Sequence, residues 1–316
     1  MSVNQGGKGI FKNERWLIIP GVILAVILAV VVRSQRATPK PGLPQTEPSI
    51  SVYMSDTGQV KKMPLETYLE GVVAAEMEPS WPEQALEAQA IVARTFTLRK
   101  ISDGGVAKRG TDASTDPKEF QAYNASRVND KVKAAVAATR GQIITYGGSP
   151  INAWFHASSG GVTASAQEGL GYKKEATPYV ISVTDIKAEP AHPWYQTFSN
   201  AAVSEAAAAV GVNVGHVTSI HIGRKGPSGR AETLKINGRD VPAPSFRLAL
   251  GDKTMQSTLL DDVRMSGDSI YMKGRGFGHG VGMSQWGAWM MAQQGKSAAD
   301  IVGYYFRGIK IQNLYQ

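Results

Sequence analysis

Glu76 has the setting that acid–base chemistry asks of a carboxyl. It stands in Ala74-Ala75-Glu76-Met77, where one helical stretch ends and a second, largely apolar one is about to begin. A carboxyl at such a junction loses part of its water, which favours the neutral form and raises its pKa. A general acid working near neutral pH needs that shift. A solvated glutamate at a helix end, or a cap, would look the same in sequence. Glu78 and Glu83 lie nearby, and Glu83 is taken up by a capping box. Arg94, further along the second stretch, has the reach to hold an anionic group or orient a carboxylate, or else to close a structural ion pair.

Two further clusters could do chemistry. His156, Ser158, Ser159 and Thr163 fall together in a segment containing Gly160 and Gly161. A serine beside a histidine suits a hydrolase, but GxSxG is absent and no acid is evidently placed to orient His156. Residues 274–288 hold six glycines interleaved with Arg275, Phe277, His279, Val281, Ser284 and Gln285. Glycine permits positive φ and close backbone approach, so this segment reads as a docking surface or as a turn before a helix. It fits neither the GxxxxGK[ST] phosphate loop nor a GxGxxG set between strand and helix. His156 and His279 lack the spacing of a zinc motif. The chain has no cysteine, hence no thiolate ligand, thiol nucleophile or disulfide. No metal or cofactor is expected.

The elements that must position these groups form a mixed α+β pattern. Leu65, Tyr68, Leu69, Val72 and Val73 recur at helical spacing before Glu76. A second helix starts at Ser80, with Ser80 and Glu83 as a capping box and Pro82 in its first turn. Leu86, Ala90, Ile91, Val92, Ala93 and Phe96 cover most of its circumference, so it is buried on most sides. An Ala/Val helix over 129–140 ends at Gly141. Strands over 142–146 and 150–155 flank Gly147-Gly148-Ser149 as a hairpin. Strands are read at 49–54, 217–222, 233–236 and 269–273, and helices at 199–210, 286–294 and 298–306.

The 316 residues, 42% hydrophobic, suffice for a sizeable core. Net charge is +8, and the first 50 residues, with six basic and two acidic side chains, carry half of it. The basic excess therefore sits around residues 16–32, a run of 17 without a charge, and gives little support for nucleic acid. That run is at the short end of a membrane-spanning helix, with basic flanks and no small-x-small cleavage site after it. Residues 1–15 read as a cytoplasmic tail and 16–33 as an uncleaved transmembrane signal anchor. Residues 34–48, with four prolines, read as a linker. Residues 49–316 read as an extracytoplasmic domain.

Taken in order, the motifs resemble the SpoIID/LytB family. They are residues 70–77 and 83–96, Phe120-Gln121-Ala122-Tyr123, Thr139-Arg140-Gly141, residues 155–161, Ser228-Gly229-Arg230 and residues 274–288. The resemblance covers about residues 50–316. It implies a SpoIID-like catalytic domain and a peptidoglycan lytic transglycosylase, which cleaves the MurNAc–GlcNAc bond without water and leaves a 1,6-anhydro-MurNAc end. The family's catalytic glutamate corresponds to Glu76. Arg94, His156, Ser158, Ser159, His279, Ser284 and Gln285 are then candidates for sugar or N-acetyl contacts, with His279, Ser284 and Gln285 facing Glu76. The resemblance also implies engulfment during sporulation, denuded glycan strands as substrate, and a partner amidase and sporulation membrane proteins as associates. A non-catalytic wall-binding enhancer of an N-acetylmuramoyl-L-alanine amidase is the alternative. The sequence departs from the family at Glu78, where proline is common, at Glu87 in place of lysine, and at Trp286, where tyrosine is usual.

Overall fold

Tyr68, Leu69, Val72 and Val73 lie on one side of a helix, and that side is fully buried. A computed structural model describes residues 46–186 and 192–315. Its first elements are β1 (Ser49–Tyr53), β2 (Val60–Pro64), α1 (Leu65–Glu76) and α2 (Glu83–Ser102). There follow β3 (Ala113–Ser114), α3 (Asp130–Ala138), β4 (Gln142–Tyr146), β5 (Ser149–Pro150), β6 (Phe155–His156) and α4 (Ala166–Leu170). The second half contributes β7 (Pro193–Ser199), α5 (Asn200–Ala209), β8 (Ile220–Ile222), β9 (Thr233–Ile236), β10 (Arg239–Pro242) and α6 (Ala243–Leu250). The last elements are β11 (Leu260–Ser266), β12 (Ser269–Arg275), β13 (Met283–Ser284), α7 (Gln285–Gln293), α8 (Ala298–Tyr305) and β14 (Lys310–Asn313). The architecture is mixed helix and strand, as the sequence predicts.

α2 is the central post. It packs against α1, α3, β4, α7 and α8, so its apolar circumference finds a partner on every side. A small sheet of order β14-β4-β5 packs on it, and another, of order β2-β1-β3, meets α1. A second core lies between the sheets β11-β12-β7 and β10-β9-β8, filled by Trp194, Phe198, Phe246 and Met272, with α5 and α6 packed beside it. The two halves meet where α7 and α8 pack on α2, where β14 pairs with β4, and in the two-residue parallel pair β13–β6, which sets Ser284 opposite His156.

Two local readings need correction. The helix after Glu76 begins at Glu83, not Ser80, and no side chain caps it. Ser80 instead sits in a turn closed by Trp81 N–H donating to Glu78 O (2.9 Å), and Pro82, at φ −53 and ψ 141, is the N-cap. Residues 150–155 are not one strand. β5 stops at Pro150, and the Asn152 backbone N–H and side-chain amide turn to Tyr179 Oη and Glu175 Oε1 (3.1 and 2.7 Å), leaving the ladder. Among the described residues no helix is long and apolar enough to cross a membrane. The anchor read at 16–33, the tail before it and nearly all of the linker lie outside the described residues.

Candidate functional site

Glu76 is the last residue of α1, where helical backbone gives way to the extended Met77. Burial pushes its carboxyl up to about 7, against the weaker lowering effects of the Ala122 N–H and the Gln285 amide. The Ala122 N–H donates to Glu76 Oε1 at 2.9 Å. The residue as a whole remains partly exposed. This is a carboxyl with little water of its own, still open on one side. Glu78 plays no part in the shift: it is 62% exposed and pairs with Arg127 at 2.7 Å.

The segment that carries Ala122 is held against α1 by one glycine. A Cβ at Gly71 would collide with the Tyr123 ring. With no side chain there, Tyr123 stacks on Tyr68 (centroids 5.7 Å apart, planes 10° apart) and the Asn124 N–H donates to Gly71 O at 2.9 Å. The Tyr68 hydroxyl, buried and close to Glu76, is pushed well up by burial first and by the Glu76 charge in addition.

Gln285 arrives from the other end of the chain. It is the first residue of α7, whose N-cap Ser284 accepts from the Gly287 N–H at 3.2 Å. Its amide donates to Glu76 and also to Gln89 Oε1 on α2 at 3.4 Å. Gly282 lets the glycine-rich segment pass this close. Its φ is +73, and a Cβ there would run into Trp154 O.

The other candidates are placed differently. Arg94 is 0% exposed and makes a bidentate pair with Glu66, at 2.9 and 2.6 Å. Its remaining N–H groups go to the carbonyls of Ala90, Val136 and Gln142. All five guanidinium donors are thus used inside the core, and none is left for a sugar. Burial alone would push the Glu66 carboxyl up, but Arg94, Tyr315 and the Gly141 N–H hold it below the usual range. Ser284 is a buried helix cap. Ser158 is buried, and its backbone exchanges two hydrogen bonds with Phe277 (3.0 and 2.9 Å).

Ser159 donates to Asp185 Oδ2 at 2.6 Å, and Tyr305 donates to the other oxygen of that carboxylate at 2.5 Å. His156 turns away: its Nδ1 meets Val281 O at 3.2 Å. The serine–histidine couple of a hydrolase is therefore not formed. His279 Nδ1 accepts from the Val281 N–H at 3.0 Å, so the proton sits on Nε2, which donates to the Phe155 carbonyl. Burial, with the charges of Arg247 and Arg230, lowers His279 to about 3. Burial and His279 lower His156 well below its ordinary value. Both rings are neutral parts of the packing, with centroids 5.7 Å apart. Of His279, Ser284 and Gln285, only Gln285 is brought onto Glu76.

Comparison with known proteins bears on this geometry. The family model described as SpoIID, stage II sporulation protein, matches residues 53–146. The chain is 35% identical over 288 residues to stage II sporulation protein D of Bacillus amyloliquefaciens, covering 86% of this chain and 81% of the relative. The chain belongs to the SpoIID family. Stage II sporulation protein D of Bacillus subtilis strain 168 is also 35% identical, over 279 residues, 83% of this chain and 78% of the relative. An amidase enhancer of the same strain is 27% identical over 292 residues, 76% of this chain and 39% of the relative. The region matched by the SpoIID family model contains Glu76, Gly71, Ala122 and the Arg94–Glu66 pair. Gln285 lies beyond it.

Sequence reasoning missed several of the site's parts. Gln89, buried beside Gln285, looks like one more polar residue on an otherwise apolar helix. Ala122 contributes only its backbone N–H, which no residue type announces. Gly71 carried a signal, since a glycine inside a helical pattern commonly marks close packing. Asp185 has no motif around it.

Proposed function

We propose that this chain is a membrane-anchored peptidoglycan lytic transglycosylase acting in engulfment during sporulation, with Glu76 as its catalytic acid and base. The supporting observation is the Glu76 carboxyl itself: burial raises it to about 7, and it is held by two hydrogen-bond donors with no second carboxylate contributing to the shift. Neutral Glu76 donates its proton to the glycosidic oxygen of the MurNAc–GlcNAc bond as the C1–O bond breaks. The resulting carboxylate takes the proton from the C6 hydroxyl of the same MurNAc as that oxygen attacks C1. The product is a 1,6-anhydro ring, and Glu76 returns to its neutral form. One carboxyl serves both halves of the step, whereas hydrolysis needs a second one on the far side of the bond. Residues 16–33 would anchor the chain and leave 49–316 outside the cell.

Full-length protein in detergent, incubated with denuded glycan strands, tests this by mass spectrometry. Anhydro-ended fragments are expected, and they disappear in Glu76→Gln. The amidase-enhancer reading draws on the name of one relative. Unchanged glycans together with faster cleavage by an added N-acetylmuramoyl-L-alanine amidase would replace the transglycosylase reading with that one.

A further inference from the structure

Three tryptophans gather where the chain leaves Glu76 and where it follows Gln285. Trp81 lies in the turn between α1 and α2, five residues after Glu76. Trp286 and Trp289 lie on α7, three residues apart and so on one face. Trp81 is 4.9 Å from Trp286 and 6.4 Å from Trp289, centroid to centroid, and Trp286 is 5.6 Å from Trp289. The ring planes are inclined by 52° to 69°, so the indoles do not cover one another face to face. All three are only half-buried.

Between them opens a cavity of about 540 Å³, which Ser80, Lys131 and Gln293 help to line. That volume is in the ordinary range for a small-molecule site, and such sites combine apolar walls with a few placed polar groups. Lys131 is exposed and gives one hydrogen bond, to Ser80 O at 3.1 Å. An ammonium carries three donors, so two point elsewhere. No acid lines the cavity. Trp286 directly follows Gln285, whose amide is bonded to Glu76, so one wall of the cavity is carried by the helix that also reaches the Glu76 carboxyl.

We propose that this cavity is a sugar subsite for the glycan strand cut at Glu76, with a pyranose ring against Trp289 and Trp286 and the lactyl carboxylate of a MurNAc on Lys131. The assignment rests on the reading of Glu76 as the glycan-cleaving acid. A pyranose presents a face of C–H groups, which packs on the electron-rich face of an indole. A helix surface that merely needed covering would not leave three indoles partly open around a cavity with a lone cation. The lactyl carboxylate is free only where no peptide is attached to it. Lys131 therefore distinguishes a MurNAc-containing strand from a neutral chitin-type oligomer.

The test uses full-length Glu76→Gln protein, which leaves the strand uncut, and follows tryptophan fluorescence on titration. The probes are a peptide-free GlcNAc–MurNAc tetrasaccharide and an N-acetylglucosamine tetramer. Trp289→Ala should weaken both by roughly tenfold or more, as loss of a buried aromatic anchor does, and Trp289→Phe should restore most of the binding. Lys131→Met should weaken only the carboxylate-bearing probe, by roughly three- to fivefold, which is the worth of a partly exposed ion pair, and raised salt should mimic it. Lys131 is exposed, so its variant folds even if Trp289→Ala does not. Unchanged affinity for the carboxylate-bearing probe in Lys131→Met overturns the assignment, and so does unchanged affinity for both probes in folded Trp289→Ala. Either outcome leaves the role of Glu76 standing. Conversely, glycan cleavage that survives Glu76→Gln removes the catalytic reading, while the binding data still decide the subsite.

Discussion

Replacing Glu76 by glutamine should make the folded protein more stable, by an amount that is nil below about pH 4.5 and grows until about pH 7. In the unfolded chain this carboxyl titrates near 4.5, and in the fold at about 7. Below 4.5 it is protonated in both states and contributes nothing. Between 4.5 and 7 the unfolded state loses its proton while the fold keeps it, so stability falls as pH rises. Above 7 both are ionised and the loss is constant. At about 1.4 kcal/mol per pH unit, the full loss is up to about 3 kcal/mol. Glutamine fills the same volume, accepts from the Ala122 N–H through its carbonyl oxygen, and carries no charge to desolvate. The Gln285 amide can turn to present its oxygen to the new NH₂ group. Calorimetric melts at pH 4, 5.5, 7 and 8 should give equal stability at pH 4. At pH 8 the variant should gain about 2–3 kcal/mol, or roughly 4–10 °C in Tm for a chain of this size. A gain that is the same at every pH, or a loss confined to pH 8, would refute the argument that burial raises this carboxyl.

Arg94→Met strands the Glu66 carboxylate in the core and should cost about 3–5 kcal/mol in denaturant titrations, while glycan affinity of the folded fraction stays unchanged. Ser159→Ala should retain glycan cleavage and lose about 1–2 kcal/mol, since it removes one bond to a buried carboxylate; loss of cleavage at normal stability would return the serine to the chemistry. Gly280→Ala puts a methyl group into the Arg230 guanidinium at a φ of +80, and a drop of several degrees in Tm is expected. Proton NMR of imidazole-labelled protein should show neither His156 nor His279 titrating between pH 5 and 8; a mid-range titration at either would contradict their packing.

How much of this was legible in advance depended on whether the cause was local. The helix that ends at Glu76, the buried circumference of α2 and the helix over Asn200–Ala209 follow from periodicity, and periodicity is a property of neighbours in sequence. The strands Pro193–Ser199 and Leu260–Ser266 were missed because each buries few side chains. In β7 only Trp194 and Phe198 are buried, and Tyr195 is 75% exposed. The capping box failed because Pro82 already sets an extended ψ before Glu83, so the serine two residues earlier has no helix to cap. Glu76 was picked out by its place between two helices. What raises its pKa is burial in the finished fold, and the two hydrogen bonds that oppose it come from Ala122 and Gln285, which are remote in sequence. The sequence offers Arg94 both to ligand contact and to an ion pair, and only the fold shows Glu66 facing it.

Gln285 has a consequence for the order in which the molecule can be assembled. The helix carrying Glu76 leaves the ribosome before Gln285 does, and its carboxyl gains this hydrogen bond only when the segment around Gln285 has been made and paired through Ser284 with His156. Tyr315, which donates to Glu66 at 2.7 Å, comes later still, and the buried Arg94–Glu66 pair lacks one of its donors until then. Contacts so distant along the chain are slow to form, because a long loop must close before they repay its entropy. A chain synthesised only as far as the segment before Gln285 therefore carries Glu76 without this contact, and the carboxyl reaches its folded environment only after that segment has been translated.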